Sequence, residues 1–217
     1  MRRFIALATA SALLLASVAS PVYAAKPAAS GFLPPGQGLA PTALATANLL
    51  WSAGVPFDQS GWIQEKCGRS GLPGVWFLGA PPVDPARPTG SDTCRLPAGT
   101  FLVVEAADVI ASQTFGDGNT PKELRAAIDT AWPYLTDVEV TFDGQTMVNP
   151  IAYVATSIAV RLPANNLFGP DRYLTIARYY QFVTRPLSRG THTLNVHYEW
   201  APDWFGTFDR DYTIIAN

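Results

Sequence analysis

Apolar and polar residues alternate with a period of two through most of the C-terminal half of the chain. Val138, Val140 and Phe142 alternate with Glu139 and Thr141, and Asp143-Gly144 then supplies a two-residue hairpin turn. Residues 151–162 place Val154, Ile158, Val160 and Leu162 on one face, and 173–183 place Leu174, Ile176, Tyr180 and Phe182 together. In 191–200 the inward set is Leu194, Val196, Tyr198 and Trp200, and Tyr212–Ile215 is the last strand. Phe101-Leu102-Val103-Val104 is apolar without alternation, the mark of a strand covered on both faces, and Val75–Leu78 predicts a short strand between two glycines. The period changes to helical only twice. Thr120-Pro121-Lys122-Glu123 is a capping box, and Leu124, Ile128, Ala131 and Leu135 form one stripe behind it, cut short by Pro133. Thr42–Ala53 makes a shorter helix, with Thr42 as its cap and Gly54 at its stop. The stretch from Val55 to Thr100 is otherwise loop-dense.

This pattern predicts a mostly β fold: an antiparallel β-sandwich, jelly-roll or immunoglobulin-like, with one inserted α-helix. It occupies residues 42–217 as a single domain. Residues 25–41 are rich in Ala, Pro and Gly and almost uncharged, which predicts a tether outside the core. Residues 1–24 have the form of a signal peptide. Arg2 and Arg3 precede an apolar run too short to span a bilayer, and Val22-Tyr23-Ala24 offers a cleavage site before Ala25. Pro21 argues against the alternative of an N-terminal membrane anchor. The expected location is secreted or periplasmic, with no transmembrane segment in the mature chain.

Removing that leader leaves 13 basic against 17 acidic residues, a net charge of −4. With no basic stripe, nucleic acid is a poor partner. Cys67 and Cys94, the chain's two cysteines, are expected to form one disulfide, because their separation fits neither a CxxC redox pair nor a zinc site.

Four segments also resemble a group of uncharacterised secreted bacterial proteins. They are GVWFLGA at 74–80, CRLPAGTFLVV at 94–104, LPANNLFG at 162–169 and RPLSRGTHTLNV at 185–196. The shared features are a Trp-Phe-Leu segment, a Cys-x-[Val/Leu]-Pro-x-Gly turn, an Asn-x-Phe-Gly loop and a Pro-Leu-x-x-Gly-x-His strand start. The resemblance spans about residues 67–215 and implies a shared fold but no activity. Glu105 stands where that pattern has Pro.

Few residues suggest chemistry. His192 and His197 are five apart on one strand and point to opposite faces, so they cannot jointly hold a metal. Asp117-Gly118-Asn119 begins like a calcium loop, but Pro121 and Lys122 stand where further oxygen ligands belong. No metal and no cofactor is expected. No nucleophile elbow or Ser-x-x-Lys motif is present. Glu105 interrupts an apolar strand and Asp108 follows it. Burial would raise their pKa values and suit them to general acid or base work, unless Glu105 simply pairs with Arg178. Asp209 and Asp211 flank Arg210 on what reads as a solvated face. Trp204 and Phe205 lie beyond Pro202, outside any strand alternation. They either cap the open end of the core or form a flat ligand platform.

Two functions follow as expectations. The first is a secreted, non-catalytic binding or surface-associated protein using Trp204 and Phe205, its ligand a carbohydrate or another envelope component. The second is an extracytoplasmic hydrolase using Glu105 or Asp108, which requires them to meet Arg178 or His192 in a water-accessible cleft.

Overall fold

The computed structural model describes residues 31–37, 40–54, 67, 69–78, 89–201 and 206–217. Among them two mixed sheets and two helices surround a shared core. The first sheet runs in the order β1 (Arg69–Leu72), β2 (Val75–Leu78), β4 (Phe101–Ser112), β9 (Leu174–Val183), β7 (Val154–Thr156), with the short β8 (Val160–Arg161) also on β9. The second runs β3 (Thr89–Leu96), β11 (Thr207–Ala216), β10 (Gly190–Trp200), β5 (Leu135–Phe142), β6 (Gln145–Val148). The fold is mostly β as expected, but its sheets are mixed rather than plainly antiparallel: β2 pairs β4 in parallel, and so does β3 with β11. A parallel pair cannot be closed by a tight turn, so each joins strands whose link runs elsewhere.

Alternation places the apolar sides of both sheets against one another. Leu194, Val196, Tyr198 and Trp200 of β10 meet Val138, Val140 and Phe142 of β5, all buried, and Leu102, Val104, Ala107 and Val109 of β4 close the core from the other sheet. The β5–β6 turn has Asp143 at φ 47° and Gly144 at φ 76°, the left-handed pair that matches a two-residue hairpin to the strands' twist.

Both helices follow local chemistry. α2 (Pro121–Ala131) begins on the expected capping box, with Thr120 Oγ1 accepting from Glu123 N and Glu123 Oε2 accepting from Thr120 N. Leu124 and Ile128 enter the main core, while Leu135 already belongs to β5. α1 (Pro41–Ser52) starts one residue before Thr42, because Pro41 at the first position has its φ preset and no N–H to satisfy. Its buried positions Leu44, Ala45, Asn48 and Leu49 form one stripe, laid on the outer side of the first sheet over β9 and β7.

Two expectations fail here. Within the supposed tether, the described residues 31–37 do not stay outside the core, since Phe32 is 1% exposed between Phe142 and Phe182. Leu33 N donates to Val183 O, and Gly31 N donates to Gln145 Oε1, so backbone bonds anchor the segment despite its composition. Residues 151–162 are not one strand either. A 3-10 turn at Ile151–Tyr153 precedes β7, the pairing breaks at Ser157, and Ile158 is 56% exposed instead of facing inward.

Candidate functional site

The candidate site lies where β4 gains one residue. Glu105 pairs with Gln181 and Ala107 with Tyr180, so Ala106 is a β-bulge between them. Before it, Leu102 and Val104 face the inter-sheet core while Val103 and Glu105 face α1. After it, Ala107, Val109 and Ala111 take the core side, and Asp108 turns outward opposite Tyr179. Simple alternation would separate two carboxyls three apart. The bulge puts both on the α1 side.

Glu105 is 5% exposed and accepts a hydrogen bond from Asn48 Nδ2 at 2.5 Å. Burial drives its pKa well above the ordinary carboxylate value, and the neighbouring Asp108 charge adds to the rise against the opposing Asn48 bond. Asp108 is partly exposed and accepts no hydrogen bond among the described residues; burial pushes its pKa up to about 6. Tyr179 is fully covered, and burial, then Glu105, then Asp108, raise its hydroxyl's pKa. Around these groups Asn48 Oδ1, Gln181 Oε1, Tyr179 OH and Ser52 Oγ are buried without a partner among the described residues. Ser52 Oγ lies near Tyr179 OH, but no bond of good geometry closes between them.

The residues expected to join Glu105 are elsewhere. Arg178 is on the opposite side of β9, where its guanidinium donates to Asp129 at 2.6 Å and to Thr156 Oγ1 at 3.1 Å and lies over Trp132. The expected Glu105–Arg178 pair is therefore absent, for the plain reason that even and odd positions of β9 face opposite ways. His192 is on the second sheet, stacked on Phe142, with Nδ1 2.7 Å from Asp143 Oδ2. His197 faces the other way, between Glu199 at 3.6 Å and Asp209 at 3.7 Å. Asn195 Nδ2 donates to both Asp209 and Asp211, which are exposed as expected. Arg210 between them is not part of that solvated face. Its parity turns it inward beside Phe208 and Tyr212, where it pairs with Asp92 at 3.2 Å and its side chain is 12% exposed.

Asp117 does not begin a calcium loop, since its Oδ2 accepts from Ser112 N and so closes the turn before α2. Cys67 and Cys94 form the expected disulfide, with Cα atoms 5.2 Å apart. Trp204 and Phe205 lie outside the described residues. The sequence reading missed a cleft of about 310 Å³ lined by Leu33, Gln37, Pro73, Val75, Phe101 and Val183. Its wall includes Leu33 and Gln37, from a stretch whose Ala/Pro/Gly content gave no sign that it packs on the sheet.

No family model matches the chain, and no curated protein matches it. Among solved structures, that of PbICP-C in complex with falcipain-2 aligns at TM-score 0.29 and 10% identity, over 65% of this chain and 98% of that one. A likeness at that level supports no shared function.

Proposed function

We propose that this chain is an exported, non-catalytic binding or surface-associated protein on a β-sandwich of jelly-roll or immunoglobulin-like type. Its ligand is a carbohydrate or another envelope component. The leader pattern of residues 1–24 and the Cys67–Cys94 disulfide support a secreted or periplasmic home. One observation carries the non-catalytic half. Glu105 is covered by α1 and held by Asn48, while Arg178 and His192 sit on other faces. A general acid must reach the proton it transfers, and a sealed carboxyl cannot touch substrate.

Trp204 and Phe205 remain the proposed ligand platform, and the cleft beside Phe101 is a second concave, apolar surface. The hydrolase reading keeps one supporting observation, the part-exposed Asp108 with its pKa near 6. The test uses the purified chain against glycan arrays and isolated envelopes, with Trp204→Ala and Phe205→Ala alongside. Binding lost at unchanged melting temperature supports the platform. Equal binding, or lost stability with no ligand found for the parent chain, overturns it. Turnover of an ester or glycoside panel that disappears in Asp108→Asn would restore the enzyme reading.

A further inference from the structure

Several buried polar oxygens beneath α1 are left without a partner among the described residues. Glu105 and Asp108 project from β4, Gln181 and Tyr179 from β9, Asn48 and Ser52 from α1. Carboxylate and amide oxygens carry lone pairs and no hydrogen, so Asp108, Asn48 Oδ1 and Gln181 Oε1 cannot satisfy one another. The one donor the structure engages, Asn48 Nδ2, serves Glu105 alone. No lysine or arginine among the described residues pairs with either carboxyl, since Arg178 and Arg210 are both committed on other faces. Leaving a single buried polar atom unpaired costs about 1–3 kcal/mol, and an unpaired buried charge costs more. Three such oxygens belong to side chains at least nine-tenths buried: Asn48 at 1%, Tyr179 at 0% and Gln181 at 5% exposed.

We propose that this cluster is a hard-cation site of the Ca²⁺ class, in which Glu105 and Asp108 supply charge and Asn48, Gln181 and Tyr179 supply neutral oxygens. Two carboxylates match a divalent ion, and amide and hydroxyl oxygens complete an all-oxygen donor set. Zinc and copper are disfavoured because no sulfur or imidazole among the described residues faces the cluster. Mg²⁺ demands a near-ideal octahedron and keeps much of its water, which a bulged strand under a helix does not offer. Asp108, the one partly exposed member, is the point of access. This inference is independent of the proposed ligand platform.

The test titrates CaCl₂ into the disulfide-intact chain after chelator treatment, reading melting temperature, and titrates Tb³⁺ reading luminescence sensitised by Tyr179 and Trp51. A saturable rise of about 3–6 °C at ten times Kd is expected, together with Ca²⁺-displaceable Tb³⁺ emission. Asp108→Asn and Glu105→Gln should abolish both responses, with circular dichroism confirming that each variant folds. Asp209→Asn should keep them, which separates this site from the exposed carboxylates beside His197. No saturable response up to about 10 mM, well above the range of extracellular calcium modules, overturns the proposal, as does an unchanged response in Asp108→Asn.

Discussion

Asp108→Asn should stabilise the chelator-treated protein at neutral pH and leave it almost unchanged in acid. The folded-state pKa of Asp108 is raised from 3.8 to about 6 by burial. Below pH 3.8 both states hold the proton and the residue adds no penalty. Between 3.8 and about 6 the unfolded chain ionises while the folded one does not, so folding weakens as pH rises. Above that window the penalty is complete and constant. A shift of this size corresponds to about 3 kcal/mol, and partial exposure of the carboxyl reduces it to about 2 kcal/mol. Asparagine removes the titration without losing a hydrogen bond, because Asp108 accepts none among the described residues.

The assay compares melting curves of parent and variant at about pH 4 and about pH 8, so that titrating groups remote from Asp108 cancel in the difference, while Glu105, no longer raised by the Asp108 charge, adds to the variant's gain. The variant should melt about 4–8 °C higher at the alkaline end, with the two curves converging at the acid end. Glu105, raised further, extends the parent's loss of stability to higher pH, and the Tyr179 hydroxyl facing both carboxyls stays protonated throughout. An equal gap at both pH values, or a variant less stable than the parent at pH 8, would refute the reasoning. With saturating Ca²⁺ the order should reverse, since the parent alone then gains the cation.

Other parts of the fold make separate predictions. Phe32→Ala should cost about 3–5 kcal/mol in urea unfolding, as for any fully buried ring, whereas a tether residue would cost nothing. Burial pulls the His192 pKa down, but the Asp143 bond and the Ser188 carbonyl outweigh it and leave the value raised; Asp143→Asn should lower it in an NMR titration. That pair stabilises the fold fully below pH 6.5, and its contribution fades as pH rises through the raised folded-state value. Thr120→Ala removes one half of the α2 capping box and should cost about 1 kcal/mol, a fall of about 2–4 °C in melting temperature. Reducing the Cys67–Cys94 bond, which spans 27 positions, should cost about 3–4 kcal/mol by denaturant titration.

The fold was legible wherever one local rule governed an element. The period of two marked the core side of β5, β9 and β10 because each buries one face against the opposite sheet, and the capping box located α2 to the residue. Pairing partners were less legible. Nothing in Val75–Leu78 or Thr89–Leu96 indicates that each joins its sheet in parallel, since that depends on where intervening segments run. Residues 31–37 defeated composition for a similar reason. Their anchorage comes from one buried ring and backbone bonds to β9, neither of which an Ala/Pro/Gly content reveals.

Glu105 and Asp108 stood out in the sequence, yet their relation did not, and a single residue explains why. Parity counting along an unbroken β4 puts positions 105 and 108 on opposite faces, which leaves two unrelated acids, one of them in the inter-sheet core. Ala106 resets that count, and the ladder partners Gln181 and Tyr179 show the consequence. A bulge of this kind carries no distinct sequence signature when its residue is Ala among other small apolar residues. It also reverses the chemistry to be inferred. Separated, each carboxyl would need its own base, and Arg178 looked like the partner of one. Brought together under α1 with Arg178 turned away, they share one low-dielectric space beside the unpaired oxygens of Asn48, Gln181 and Tyr179. Ionising both members of such a pair is costly, and a positive charge between them lifts that cost. The protein's response to protons and to divalent cations is therefore one property of this bulge, read through two ions.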